Sequence, residues 1–159
     1  MSRKPGRLTA ITVDDTFSRN ATPEMLQDRA LAIHDLLEGN DFRLSNGKPG
    51  PYKLAITSQD QRLVLALSDE AGAPLHSFGL SLTPFRHVVK DYFQICDSYV
   101  MAVKGSNPQA IEAIDMARRG IHNEGSEILL ERLKGKAEMD FDTARRLFTL
   151  VCALMQRAA

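Results

Sequence analysis

The sequence predicts a single α+β domain, with an N-terminal strand and helix and an antiparallel β-meander packed against three C-terminal helices. Three observations predict it. A chain of 159 residues with 43% hydrophobic content is sized for one core and too short for two. Hydrophobic periodicity is two across residues 52–82 and close to 3.6 from residue 84 onwards, which segregates strands from helices along the chain. The resulting order (strand, helix, three strands, three helices) lacks the alternation of a doubly wound α/β fold.

Leu8 to Val13 is rich in Thr, Ile and Val and reads as the first strand, over 8–13. Asp14 to Ala21 is a polar loop. Thr22-Pro23-Glu24 then opens a helix over 23–38, with a capping hydroxyl, a proline where no N–H is needed, and a carboxylate at the positive end of the dipole. Leu26, Ala30, Ile33 and Leu37 step by four, three and four, which marks them as its buried stripe, and Gly39-Asn40 ends it. Phe42 and Leu44 add a short extended piece before the turn-rich loop Asn46 to Pro51. Tyr52, Leu54 and Ile56, then Leu63, Leu65 and Leu67, alternate with polar or small residues and predict a hairpin over 52–57 and 62–68. The last strand is expected over 75–82, with Phe78, Leu80 and Leu82 on one face; such a meander keeps one face for the core and one for water.

The period changes at Thr83-Pro84, read as the capped start of a helix over 84–104 with a broad stripe from Phe85 and Val88 to Val100 and Val103, stopped by Gly105. Asn107-Pro108 opens a helix over 108–134, with Ile111, Ile114, Ile121 and Ile128 near one face. Asp140 caps the last helix, over 141–157, where Phe141, Ala144, Leu147, Phe148, Val151, Leu154 and Met155 are expected to face the core.

Twenty basic residues balance twenty acidic ones, and the pI is about 6.9, so no global field draws the protein to nucleic acid. The basic start, Ser2 to Arg7, leads into no apolar run, and Leu147 to Met155 is about half the length of a membrane span. A cytoplasmic protein without membrane insertion is therefore expected. Cys96 and Cys152 are isolated and read as reduced core thiols. The four histidines lie on four elements without a metal-ligand spacing, and neither metal nor cofactor is expected. His76, on the same strand face as Phe78, reads as partly buried. Gly-x-Gly-x-x-Gly, Walker, Gly-x-Ser-x-Gly and His-Glu-x-x-His patterns are missing, so the common nucleotide, hydrolase and zinc-protease mechanisms lose their support.

The densest polar segment runs from Asp115 to Gly125. Arg118, Arg119, His122, Asn123 and Glu124 fall within about three helical turns, diluted by Gly120 and Gly125 at roughly 1 kcal/mol each relative to alanine. Two guanidinium groups beside an imidazole and a carboxamide form a receptor for an acidic group. The plainer reading pairs Asp115 with Arg119 within the helix and uses Gly125 for a close helix approach. Arg86 and Lys90 sit where cations oppose a helix dipole, as do Arg145 and Arg146 early in the last helix, although Asp140 and Asp142 precede that pair. All four join the candidate site as neighbours if the helices bundle.

The runs Leu80-Ser81-Leu82-Thr83-Pro84-Phe85-Arg86, Lys90-Asp91-Tyr92-Phe93, His122-Asn123-Glu124-Gly125-Ser126 and Asp140-Phe141-Asp142-Thr143-Ala144-Arg145-Arg146 resemble a family of small uncharacterised alphaproteobacterial proteins, number 0262 of its series. The resemblance covers nearly the whole chain. It implies a cytosolic bacterial protein of no assigned activity and supplies no catalytic or ligand residue. The residues themselves favour a non-catalytic interaction or regulatory protein that engages an acidic partner surface; the competing reading is an enzyme or sensor holding a small phosphorylated or carboxylate anion on the same arginines. Leu150 and Cys152 widen the apolar face of the last helix, which leaves room for a helix-mediated homodimer.

Overall fold

The computed structural model describes residues 6–156, so residues 2–5 of the basic start and the expected helix end at 157 lie outside it. The first strand, β1 (Leu8–Val13), is followed by a 3-10 turn at Asp15–Ser18, helix α1 (Pro23–Glu38) and the short strand β2 (Phe42–Leu44). The meander is β3 (Tyr52–Gln59), β4 (Arg62–Ser68) and β5 (Pro74–Ser81). Helices α2 (Arg86–Lys104) and α3 (Pro108–Arg132) form an antiparallel hairpin, and strand β6 (Ala137–Met139) leads into α4 (Phe141–Met155). The main sheet has the order β1-β3-β4-β5, with β1 parallel to β3 and the rest antiparallel. β2 pairs with β6 in a small second sheet, Phe42 opposite Met139.

Alternation decides which face of the sheet the helices cover. Tyr52, Leu54, Ile56, Leu63, Leu65, Leu67 and Leu80 are all buried, and their intervening neighbours stay at least partly open. α4 is the central helix, packed by α1 on one side and α3 on the other. Its Leu147, Phe148, Leu150, Val151 and Cys152 are buried, so the wide apolar circumference read from the sequence is consumed inside the chain. Asp140 caps α4 as expected, its carboxylate accepting from Thr143 N at 2.8 Å. Among the described residues, no helix is long and apolar enough to cross a membrane.

Four expectations are corrected. The buried face of α1 is Met25, Arg29, Ala32 and Leu36, one residue out of phase with the predicted stripe, while Leu26 is 41% exposed. Arg29 caused the slip: its charge marks it as outward, yet it is buried, donates to the Phe17 carbonyl at 3.0 Å and lies over the Phe17 ring. Thr83-Pro84 forms a 3-10 turn instead of a helix cap, so α2 begins at Arg86 with no side-chain cap. Phe141, at the first position of α4, is 39% exposed. His76, opposite Leu67 next to the register shift between β4 and β5, is exposed and not partly buried.

Candidate functional site

Helices α3 and α4 cross where α3 carries no side chain and α4 presents the Phe148 ring. A Cβ on Gly125 would fall inside the Phe148 ring, so glycine is what lets the two axes approach there. One turn earlier on α3, His122 lands over α4. Its ring lies 5.3 Å from Phe148 and 5.6 Å from Tyr92 of α2, so three helices enclose it. Burial first, and then the neighbouring charges of Arg145 and Arg118, push its pKa down to about 4. His122 is therefore neutral at physiological pH.

A neutral imidazole has one donor and one acceptor, and both are used. Arg145 Nε–H points at Nδ1 from 3.4 Å, and Nε2 lies 2.8 Å from Thr149 Oγ1. Thr149 donates in turn to the Arg145 carbonyl at 3.0 Å. With Nδ1 accepting, Nε2 carries the proton, and the contacts close a ring from the guanidinium through the imidazole and hydroxyl back to Arg145. The Arg145 side chain is thereby oriented, and among the described residues its terminal nitrogens make no hydrogen bond.

His122, Arg145, Arg146 and Thr149, joined by Asp142, line an open cleft of about 380 Å³. Arg146 Nη1 also donates to the carbonyl of Gly39 at the end of α1, tying α4 to that helix. Among the described residues, no ion pair uses Arg145 or Arg146. A larger hollow of about 870 Å³ over the ends of β4 and β5 is an open trough along turn residues such as Asp60, Gln61 and Arg62. It offers no comparable convergence of oriented donors.

The remaining sequence-predicted site residues divide into separate groups. Asp115 takes both Arg118, at 2.5 Å, and Arg119, at 3.0 Å, and Arg118 also lies over Tyr99 at 4.4 Å. The intrahelical pairing thus engages two of the arginines, Arg118 being about a third exposed and Arg119 mostly exposed. Asn123 is half-buried with its Oδ1 unpaired, and Glu124 faces solvent. Arg86 donates to Gln61 Oε1 at the β3–β4 turn, and Lys90 is exposed on α2. Thr149 and Tyr92 were not singled out from the sequence. Thr149 carried a local signal, its i,i+4 spacing from Arg145, whereas the place of Tyr92 beside the imidazole depends on helix packing alone.

Comparison with known proteins yields a match over residues 5–157 to the model of the Uncharacterised protein family (UPF0262). The chain belongs to this family. A UPF0262 protein of Paracoccus denitrificans is 55% identical over 98% of this chain and 99% of its own length. One from Rhizobium johnstonii is 54% identical over 99% of both, and one from Hyphomonas neptunium 54% identical over 93% and 91%. No solved structure matches. The UPF0262 description names no reaction or ligand, so the chemistry of the α3–α4 cleft rests on the residues themselves.

Proposed function

We propose that this UPF0262 member is a non-catalytic cytosolic binding protein whose α3–α4 cleft receives an acidic side chain of a protein partner. The observation that carries this reading is the state of Arg145. Its Nε donates to His122, its side chain lines an open cleft beside Arg146, and neither guanidinium is ion-paired among the described residues. A guanidinium fork held in place loses little side-chain entropy on meeting a carboxylate, and charge-assisted bonds of this type are the stronger ones.

Two features favour binding over catalysis. His122 is neutral with both ring nitrogens engaged, so it serves as a post for Arg145 and does not shuttle protons near pH 7. Four of the five residues lining the cleft come from one helix, α4, which gives a wall on one side and none opposite. A convex partner closes such a surface, whereas a small ligand stays exposed on it.

The test is backbone amide NMR of the whole protein titrated with a hexaglutamate peptide and, separately, with inorganic phosphate. The peptide is expected to shift the amides of His122, Arg145, Arg146 and Thr149, with affinity falling at least tenfold in R145A and declining with added salt. The proposal fails if the peptide leaves those amides in place. Should phosphate reproduce the shifts at equal charge concentration, a small anion is the ligand instead.

A further inference from the structure

The turn between β2 and β3 carries a chemistry that the α3–α4 cleft does not use. Asn46-Gly47 is exposed there, and Gly47 adopts φ +83°, in the left-handed region, with no atom within 4 Å of where a Cβ would stand. An asparagine followed by glycine is the pair in which the next backbone nitrogen reaches the side-chain carbonyl carbon most freely, because no β-carbon guards the approach.

The local hydrogen bonds favour that approach. Asn46 Oδ1 accepts from Lys48 N at 3.0 Å, which folds the carboxamide back along the Gly47 peptide as an Asx turn. The same N–H donates to the oxygen on which negative charge gathers when a nucleophile adds to Cγ. The attacking group is loosely held, since Gly47 N reaches the Leu44 carbonyl only at 3.4 Å, past the usual range. The leaving nitrogen is loosely held too: Asn46 Nδ2 lies 3.5 Å from the Leu75 carbonyl, which already accepts from Lys48 Nζ at 3.0 Å.

None of the other four asparagines combines these features. Asn107 precedes Pro108, whose nitrogen has no proton to lose. Asn123 lies within α3, where the following amide belongs to the helical ladder. Asn40 commits its carboxamide to Leu8 and Leu36, and the next amide, Asp41 N, donates to Thr143 Oγ1 at 2.8 Å. Asn20 is exposed, but the methyl group of Ala21 stands beside its nucleophile.

We propose that Asn46 is a self-modifying site, at which the Gly47 amide converts the asparagine to aspartate and isoaspartate through a cyclic imide. Gly47 N gives up its proton to solvent and bonds to Asn46 Cγ; the Cγ–Nδ2 bond breaks, and the nitrogen leaves as ammonia. Water then adds to either imide carbonyl and reopens the ring, so that one asparagine and one water become one acidic residue and one ammonia. The product exchanges a donor to the Leu75 carbonyl for a carboxylate beside Lys48, and a chain of zero formal charge becomes net negative.

The native full chain, held for days at physiological temperature and mildly alkaline pH, tests the proposal by peptide mass mapping and isoaspartyl methyltransferase labelling. The peptide containing Asn46 is expected to gain about 1 Da and to split into isoaspartate and aspartate forms, while the intact protein gains a more acidic band on isoelectric focusing. Asn20 and Asn40 are expected to convert at least tenfold more slowly, and Gly47→Ala to slow position 46 by a similar factor. A native protein in which Asn46 stays intact overturns the proposal, with a urea-unfolded sample showing whether the fold or the local sequence blocks the ring. Aspartate without isoaspartate is equally fatal, because it means direct hydrolysis. If alanine disturbs the turn, as a lowered melting temperature would reveal, Asn46→Gln takes its place. Its longer side chain must close a six-membered ring, so loss of ammonia at this position is expected to fall at least tenfold; an unchanged rate rules the mechanism out.

Discussion

A methyl group added at Gly125 collides with the Phe148 ring, whereas one added at Gly120 meets no atom within 4 Å. The two glycines share one helix, and their substitutions have opposite signs. Gly125→Ala forces the ring or the helix axis to move at about 1–3 kcal/mol, which exceeds the ~1 kcal/mol of helix propensity that alanine returns. Gly120→Ala recovers about 0.5–1 kcal/mol with nothing to displace. Urea denaturation of the two variants is expected to move the midpoint down for the first and up for the second; matched shifts would mean that α3 and α4 do not approach at Gly125. The cost of a helical glycine is legible in any sequence. Which glycine is needed depends on what sits across from it, and nothing in the structure accounts for the one at 120. Arg29 teaches the same lesson in reverse, since its charge hides a burial that the Phe17 carbonyl and ring make tolerable.

At the scale of the element, the edges of the sheet show how local signals acquire second uses. Asn40 reads as a helix stop, yet its side chain also serves as a strand neighbour for β1. Its Oδ1 accepts from Leu8 N at 2.8 Å, and its Nδ2 donates to Leu8 O at 3.1 Å and Leu36 O at 2.8 Å. Asn40→Ala removes three hydrogen bonds and strands backbone groups beside a fully buried leucine, at a cost of about 2–4 kcal/mol. The melting temperature is expected to fall accordingly, with Asn40→Asp, which keeps only the acceptor, in between. Equal stability of N40A and wild type would refute this role. At the opposite edge, Lys48 and Asn46 donate to the Leu75 carbonyl and Lys136 reaches the Gly79 carbonyl, so side chains occupy ladder positions that another strand would take. Strand periods were legible because alternation is a local property. β6 was not, since three residues gain strand character only by meeting β2.

For the molecule as a whole, the consequence of enclosing His122 among three helices is a dependence on pH. Its folded pKa of about 4 lies below the ordinary value of 6.5, so between those limits the unfolded chain binds a proton that the native state refuses. Stability contributed by the neutral ring is whole above pH 6.5, declines as the pH falls through the window, and levels off below about 4. Thermal melts of wild type and His122→Gln are expected to converge as the pH drops from 7 to 4.5, because the variant lacks this slope; parallel curves would show that the imidazole is not enclosed. The division between sequence and tertiary structure follows the same line. The sequence by itself determined the fold class, the period of each long element, most caps and the family, because alternation, capping hydroxyls, prolines and net charge act over a few residues. It also placed Arg118 and Arg119 within reach of Asp115, one helical turn away. Only the packing of α3 on α4 decided that His122 and Arg145 meet and that Arg145 is the oriented cation on the cleft. Those two residues are 23 positions apart, and no local rule sets the angle at which two helices cross.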